Sequence, residues 1–527
     1  MLQAVRAPSR RSQVHPQVSV EVARAALRPR LGILAVAMLC ILADQSATVG
    51  FGTVTPFVRG VLAADVDAGS WLVIAGGAAY ITGVVATVRL LERFGRRTTI
   101  LATSAGFAFC TAVSGVTGDY TTFLAAHTLA QLFQGTTYAV AVVLMCAVFP
   151  RAFWAYTFIL LSASSLSGQN LAPLLAGIAV DQATSTAFFL GTAFVLAAAT
   201  ALAVLVVPAD EPERYALPFD GFGLAAVAAT ALCLEYLAVQ GERFAWFDAP
   251  HIALVLLAAL AGSAIVAVWQ LRLTGHPLID WRVLRTHNHI VGDVLAGFNG
   301  FFTYGSTVLL AYAQTTLGFT PTLAGELLAL RLVVLIAVVT AIGVANAKRL
   351  VDPRLFLAAG LIVVAIAYWR VSLETTIGSD LAALVFDSLL LSLGLGVLTQ
   401  TVPGLVFGPV PDERIASATV FYKLFTLGGT LVATALGSTL FDHHAAIWQT
   451  ELAGSVTPES AAVTATLAHE GPAQLAALVA QQAAALAYAD EIRMFVFAAL
   501  VALPVVALTR PAFRAKFSLM RLSGDGG

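Results

Sequence analysis

The stretch SGQNLAPLLAGIAVD, residues 167–181, places a proline and several small residues inside a long apolar run. Gly168, Ala172 and Gly177 are four and five positions apart, and small residues at such intervals let two helices pack closely within a membrane. Pro173 lacks a backbone donor and bends a helix where it occurs. The stretch therefore predicts a kinked membrane helix in close contact with its neighbours.

The composition of the whole chain agrees with a membrane protein. Of 527 residues, 59% are hydrophobic and 11% are charged, whereas soluble proteins carry roughly 25% charged residues. The formal net charge is −1, so there is no basic field of the kind that attracts nucleic acid, and no nucleic-acid partner is expected. The lipid bilayer is the expected environment.

Long apolar segments recur along the chain. A helix needs about 20 mostly apolar residues to cross a bilayer, and we count fourteen such segments. They are 31–57, 69–91, 98–117, 121–148, 153–180, 185–207, 219–241, 250–271, 289–316, 321–347, 353–373, 380–409, 413–441 and 491–510. Because these runs are continuous rather than alternating, helices are predicted and a β-barrel is not. The fold class is therefore an all-α integral membrane protein.

The charges in the loops predict an orientation. Arginine and lysine occupy alternate loops, as in Arg93 after the second segment and Lys348 after the tenth, whereas loops on the other side carry acids such as Asp119 and Asp380. Basic loops mark the cytoplasmic side, so both termini are expected in the cytoplasm. The loop between the last two segments, 442–490, is expected outside, with its part PAQLAALVAQQAAALAYAD forming an amphipathic surface helix.

The same pattern divides the chain into regions. The acidic, proline-containing stretch after the sixth segment reads as a linker. The regions are a cytoplasmic tail (1–30), an N-terminal six-helix bundle (31–207), a cytoplasmic linker (208–218), two extra transmembrane helices (219–271), a C-terminal six-helix bundle (289–510) that contains the periplasmic loop (442–490), and a cytoplasmic tail (511–527).

Two motifs resemble signatures of the major facilitator superfamily. LLERFGRR, residues 90–97, is similar to the loop that follows helix 2 in that family, although Val88 replaces its leading glycine. The matching residues are Glu92, Arg93, Gly95, Arg96 and Arg97. The stretch 167–181 resembles the family's antiporter motif of helix 5 through Gly168, Ala172, Pro173 and Gly177, with Ala172 where glycine is usual.

Over nearly its full length the chain resembles the fourteen-helix drug:proton antiporters of the EmrB/QacA type, and the EmrB branch in particular. The resemblance includes residues 238–250, 276–288 and 411–418. It implies a major facilitator fold of two six-helix bundles plus two extra helices. It also implies proton-coupled efflux of amphipathic drugs or toxic small molecules across a bacterial inner membrane by alternating access, with a periplasmic adaptor and an outer-membrane channel as partners.

Other functions stay open. One alternative is an exporter of a single dedicated metabolite or siderophore-like compound, and another is a membrane sensor or assembly component that transports nothing. An enzyme is not expected. The sequence contains no GxxxxGK[ST] phosphate loop and no metal-ligand spacing, so no cofactor is expected either.

Asp44, in CILADQSATVG, is the leading candidate for proton coupling. An acid inside a membrane segment costs roughly 2.5–3.5 kcal/mol on insertion scales and usually faces a cavity or ion pathway. Asp44 matches the helix 1 aspartate of the family, to which the resemblance assigns proton coupling. The alternative is a structural role in which Asp44 only bonds neighbouring hydroxyls such as Thr48.

Helix 4 departs from the family because Gln131 stands where the motif has arginine. His127, Gln131, Gln134 and Tyr138 share one helical face, and this stripe is predicted to line the cavity. An unperturbed histidine titrates near neutral pH, so His127 is a candidate proton site, although a neutral packed histidine is an alternative.

Glu235 on helix 7 is a second candidate proton site. Its alternative role is a boundary glutamate that reaches water. Lys423 on helix 13 either supplies the cation that helix 4 lacks or snorkels towards the cytoplasm. Glu326 and Arg331 on helix 10 are five residues apart and share a face poorly, so each is expected to find a partner elsewhere.

Helix 9 contains the predicted substrate contacts. Aromatic side chains interleaved with glycines could form an adaptable apolar wall that also offers hydrogen bonds; ordinary membrane packing is the alternative. The residues are Phe298, Asn299, Phe301, Phe302 and Tyr304.

Overall fold

The computed structural model describes residues 16–182, 184–209, 219–457 and 471–511. Within these ranges the chain forms thirteen α-helices and short helical turns. The helices are α1 (Pro16–Val61), α2 (Val66–Val116), α3 (Tyr120–Val148), α4 (Trp154–Gln182), α5 (Ser185–Val206), α6 (Gly221–Gln240), α7 (Pro250–Val268), α8 (His287–Thr315), α9 (Pro321–Ala347), α10 (Pro353–Glu374), α11 (Leu381–Phe407), α12 (Ile415–Ser455) and α13 (Gly471–Ala507).

The predicted all-α membrane architecture is confirmed. In the part of the chain that the structure describes, eleven helices are long and apolar enough to cross a membrane. Helix α2 contains two of the predicted segments and is interrupted at Gly95, where φ is 74° and ψ is 170°. Such a conformation is open to glycine and strained for other residues. Fourteen crossings stay a prediction.

Acids in the short loops fix where several helices begin. Asp65 accepts a hydrogen bond from the backbone N–H of Ala68 at 2.7 Å, and Asp220 accepts one from Gly223 at 2.8 Å. Asp119 accepts from the backbone and side chain of Thr122, and these bonds lower the pKa of the Asp119 carboxyl. Asp65 and Asp119, which stand in loops on the side opposite the basic loops, are thus also helix N-caps.

The helices pack as two bundles. Helices α1–α5 contact one another, with α4 against α1 and α2 against α3 and α5, while α8–α13 form a second group in which α12 packs on α8 and α13. Helix α4 runs along α9 and α3 touches α12, which joins the groups. Helices α6 and α7 form a hairpin beside α2 and α12.

The predicted loop 442–490 differs from the structure. Helix α12 continues to Ser455, and residues 472–490 are continuous with the last helix rather than a separate surface helix. The cause is packing: Trp448 donates to Asp490 at 2.8 Å, and the small side chains of Ala483 and Ala487 are buried. The two helices therefore extend well beyond the predicted spans.

Three other predicted regions, the two tails and the linker, can also be compared with the structure. Helix α1 begins at Pro16, so helix extends into the predicted tail 1–30. Most of the linker 208–218 and nearly all of the tail 511–527 lie outside the described residues.

Candidate functional site

Asp44 is fully buried where α1, α2 and α3 meet. The Tyr80 hydroxyl donates to its Oδ1 at 3.0 Å, and Gln134 Nε2 donates to the same oxygen at 3.1 Å. Gln45 Nε2 donates to Oδ2 at 3.1 Å. Thr48 bonds the backbone oxygen of Asp44, not its carboxylate. The carboxylate is thus held by donors from three helices.

Lys423 of α12 completes this cluster from the other bundle. Its Nζ lies 3.8 Å from Asp44 Oδ2. The ammonium also lies 4.1 Å from the ring centroid of Tyr138 and 5.1 Å from that of Tyr80, both within cation–π range. Lys423 is 7% exposed and points inward, so the snorkelling alternative is wrong. The pair connects the two bundles near the middle of the membrane segments.

The polar stripe on α3 separates into two parts. Gln134 and Tyr138 belong to the Asp44 cluster, whereas His127 stacks on Phe51 with centroids 4.2 Å apart. Gln131 Nε2 is 3.5 Å from His127 Nε2. A cavity of about 20 Å³ is lined by His127, Gln131 and Gln134 among others. That volume is enough for one water molecule.

Glu235 lies on α6, away from the cluster. It is 8% exposed and its carboxylate packs directly on Gly77 of α2. In the residues that the structure describes, we find no hydrogen bond to this carboxylate. Tyr80, three residues after Gly77, donates to Asp44, so α2 contacts both acids.

The aromatic residues of the ninth predicted segment lie on α8 of the structure. Most of them pack inside the C-terminal bundle. Phe302 is fully buried, and its backbone oxygen accepts from the Tyr368 hydroxyl at 2.9 Å. Phe301 and Tyr304 both meet Phe495, at 5.5 and 6.4 Å between centroids. Phe298 and Asn299 are partly exposed. The structure thus places Phe301 and Phe302 in the bundle core, whereas the side chains of Phe298 and Asn299 are partly exposed.

The motif at residues 90–97 ties α2 to its surroundings at the end of the molecule where the arginine-rich loops lie, here called the basic end. Glu92 pairs with Arg89, which also donates to the backbone oxygen of Pro277. Arg97 donates to the backbone oxygen of Val204 in α5 at 2.9 Å. Other motif residues lie on the same turn: Arg93 over the Phe94 ring, Gly95 at the break, and Arg96 at a cavity of about 420 Å³.

The stretch 167–181 contacts both bundles. A Cβ at Gly168 would lie 2.6 Å from the backbone oxygen of Leu42, so α4 approaches α1 beside Asp44. A Cβ at Gly177 would lie 2.6 Å from the backbone oxygen of Pro321 in α9. Ala172 and Pro173 are buried between these contacts. The close packing that the small residues predict is therefore present on two sides.

Several polar residues of the interior were missed by sequence reasoning. Tyr80 gave no signal because tyrosine is common in membrane helices. His289 and Asp293, four residues apart on α8, are both fully buried with His289 Nε2 3.1 Å from Asp293 Oδ2, and their spacing was a usable signal. Within the described ranges, no group of three or more His, Cys, Asp and Glu residues could hold a metal ion.

Two bundles of membrane-spanning helices that pack against each other are the architecture of many membrane transporters. Residues 34–434 match the model of the Major Facilitator Superfamily. The chain therefore belongs to this superfamily, and it is a transporter rather than an enzyme.

Similar proteins are export or resistance proteins. The chain is 23% identical over 421 residues to the fatty acid resistance protein FarB of Neisseria gonorrhoeae, covering 79% of this chain and 81% of the relative. It is 24% identical over 455 residues to the tetracenomycin C resistance and export protein of Streptomyces glaucescens, covering 86% and 81%. The human organic anion transporter MFSD10 shares the fold, with a TM-score of 0.54, 15% identity, and coverage of 91% of this chain and 99% of that one.

Proposed function

We propose that the protein exports amphipathic compounds by alternating access in exchange for protons, and that Asp44 carries the exchanged proton. The observation that supports this most directly is the ion pair between Asp44 of one bundle and Lys423 of the other. Alternating access requires the two bundles to rock against each other. A titratable contact between them can couple protonation to that motion.

The proposed coupling follows from the charges. Protonation of Asp44 removes the attraction between its carboxylate and the Lys423 ammonium. Lys423 then retains only the rings of Tyr138 and Tyr80, which lie on the opposite bundle. The link between the bundles weakens, and loss of the proton restores it.

The cavity beside His127 supports a route for the proton. His127 is seven residues closer than Gln134 to the start of α3, at the end opposite the basic end. Water in this cavity, together with Gln131 beside the histidine, would extend a polar path towards Gln134, which donates to Asp44. Glu235 is proposed as a second proton site, separate from this route.

A lateral cavity supports an amphipathic substrate. It measures about 330 Å³ and lies between α2, α12 and the α6–α7 hairpin. Its walls are mainly aliphatic, with Thr230, Ser263 and Gln270 as polar groups, which is typical of sites that bind mostly apolar molecules. The relatives named for fatty acid resistance and for tetracenomycin C export agree with such substrates.

A dedicated exporter is the second candidate. One relative is named for a single compound, tetracenomycin C, and a lysine inside the transport path favours neutral or anionic molecules over cations. This candidate shares the proposed proton coupling and differs in the range of substrates.

The location and the partners are also proposals. We place the protein in a bacterial inner membrane with both termini and the basic end in the cytoplasm. The helices α12 and α13 would then extend into the periplasm, where their hairpin offers a rigid surface to an adaptor protein and, through it, to an outer-membrane channel. Helix α12 has 41 residues, about 60 Å of helix, twice the thickness of a hydrocarbon core.

Transport into proteoliposomes under an imposed pH gradient tests the function. We expect substrate flux that follows the gradient in the wild type and loses that dependence in Asp44→Asn. Asp380→Asn, at an exposed helix N-cap, is the matched control and should keep it. The Glu235→Gln variant tests, in the same assay, whether Glu235 is a second proton site. Wild-type flux that ignores the gradient would refute proton coupling, and no flux of any candidate compound would favour the sensor alternative.

A further inference from the structure

Arg331 of α9 is an arginine buried in the C-terminal bundle without an acidic partner. It is 2% exposed. Its Nε donates to Ser392 Oγ at 3.2 Å and its Nη1 to Ser306 Oγ at 3.1 Å. In the described part of the chain, no carboxylate lies within ion-pair distance and Nη2 donates no hydrogen bond.

A guanidinium in this position is expensive unless something compensates its charge. Arginine stays protonated in proteins, and a buried charge is normally paired. The buried acid on α11, Asp387, is already engaged by Arg370 at 2.8 Å. The serine hydroxyls orient Arg331 but leave its positive charge uncompensated.

Arg331 lies at about the depth of the membrane midplane. It is ten residues from the start of α9 at Pro321, which corresponds to about 15 Å along the helix. Half of a hydrocarbon core is also about 15 Å. Arg331 therefore lies where transporters of this architecture bind their substrates.

The order of the helices gives Arg331 a counterpart in the first bundle. Tyr80 on the second predicted membrane segment bonds Asp44 of the first and lies beside Gln134 of the fourth. Arg331 is on the second segment of the other bundle and bonds Ser306 of its first and Ser392 of its fourth. Equivalent helices of the two bundles thus surround a buried charge, Asp44 in one bundle and Arg331 in the other.

Further polar groups lie on the same helices as the two serines that bond Arg331. Asn299, Thr303 and Ser306 share one face of α8, and all three are partly exposed. One turn from Ser392, the buried Oγ of Ser388 has no hydrogen-bond partner among the described residues. An anion with two oxygens could satisfy both Nη2 and these hydroxyls, because a guanidinium matches a carboxylate in a bidentate way.

We propose that Arg331, held in place by Ser392 and with the Ser306 hydroxyl as a second donor, binds the carboxylate of the exported compound, so that the substrates are amphipathic organic acids. This proposal rests on the export function proposed above and names its substrate class. The carboxylate binds in the C-terminal bundle while the apolar part of the molecule extends towards the space between the bundles.

Binding to the purified full-length protein in lipid nanodiscs tests the site without any gradient. The probes are dodecanoate, dodecanol and dodecyltrimethylammonium, which share a chain and differ in charge. We expect Arg331→Gln to weaken dodecanoate binding about ten- to a hundredfold, and Arg331→Lys to recover part of it. Arg285→Gln, at an exposed loop arginine, should leave all three affinities unchanged.

The controls separate recognition from misfolding. Dodecanol binding that is unchanged in Arg331→Gln shows that the variant is folded. Equal dodecanoate affinity in the wild type and Arg331→Gln would overturn the proposal, and so would an equal loss for dodecanol. If Arg331→Gln does not fold, Ser306→Ala with Ser392→Ala must weaken dodecanoate selectively, and failure to do so overturns the site.

This test and the transport test fail independently. Selective dodecanoate binding through Arg331 in a wild type that transports nothing would refute export and leave the site standing. Gradient-driven export of dodecyltrimethylammonium without dodecanoate binding would refute the site and leave export standing.

Discussion

Asp44 and Lys423 compensate each other's charge. Without its partner, either charge would be isolated in the interior of the protein. The carboxylate is fully buried and the lysine nearly so. Removing one partner of a buried pair leaves the other charge uncompensated, which costs more than removing both. The effects of the two residues on the stability of the protein are therefore coupled.

A double-mutant cycle tests this coupling. We expect Lys423→Gln to destabilise the protein by about 3–5 kcal/mol, because the Asp44 carboxylate loses its counter-charge. Asp44→Asn combined with Lys423→Gln should recover much of that loss. Reversible unfolding in detergent measures the change in free energy, with the exposed Lys348→Gln as control. Strictly additive single effects would show that the two side chains do not interact.

Part of this site is predictable from the sequence and part is not. Asp44, Gln134 and Lys423 stand out because polar side chains are expensive in apolar segments. The direction of Lys423 is not predictable, since a long side chain can turn inward or snorkel. Phe301 and Phe302 pack in a core rather than along an open wall, because aromatic patterns look the same in both settings.

At the scale of helices, close approach between backbones repeats in the two bundles. Gly168 brings α4 against Leu42 of α1, and Gly429 brings α12 against Gly297 of α8. Ala172 and Ala433, each four residues further on, are both fully buried. Gly168 with Ala172, and Gly429 with Ala433, thus allow close packing in equivalent helix pairs of the two bundles.

Neighbouring glycines on α12 give a matched test of this packing. A Cβ at Gly429 would collide with the backbone of Gly297, whereas nothing lies within 4 Å of a Cβ at Gly428. We expect Gly429→Ala to lower the unfolding free energy by about 1–3 kcal/mol and Gly428→Ala to leave it equal or higher. Thermal unfolding of both variants compares them. Equal melting temperatures would mean that α8 moves aside freely.

The helices themselves are the best-predicted part of the molecule. Apolar runs locate them because the backbone must bond internally in lipid. The region 442–490 is different, since its alanine-rich helix is too polar to look like a span and is stabilised by contacts such as Trp448 with Asp490. Such tertiary contacts leave no periodic signal in a single sequence.

At the scale of the whole molecule, contacts join the two bundles at both ends. At the basic end, Arg151 pairs with Asp412 at 2.7 Å and also donates to the backbone oxygen of Val410. At the opposite end, Asp181 accepts from the backbone N–H of Thr322 at 3.0 Å. Opening towards either side must break one of these links.

Labelling of a native cysteine can report opening at the basic end. Cys146 is 6% exposed and lines the cavity beside Arg151. In a background with Cys40, Cys110 and Cys233 changed to alanine, we expect Arg151→Gln to raise the maleimide labelling rate about fivefold, for a lost ion pair worth about 1 kcal/mol.

The control removes an ion pair that does not connect the bundles. Arg282 and Asp280 lie 3.6 Å apart within one loop, so Arg282→Gln should leave the labelling rate as it is. An unchanged rate in Arg151→Gln would show that this pair does not hold the basic end closed.

The ion pair at the centre also has an electrical consequence. With Asp44 ionised, Asp44 and Lys423 together carry no net charge, but a proton on Asp44 leaves one positive charge deep in the membrane. A full charge crossing 100 mV is worth roughly 2.3 kcal/mol, so a charge halfway across feels about half of that. Under the proposed mechanism the protonated state of Asp44 is thus sensitive to membrane potential.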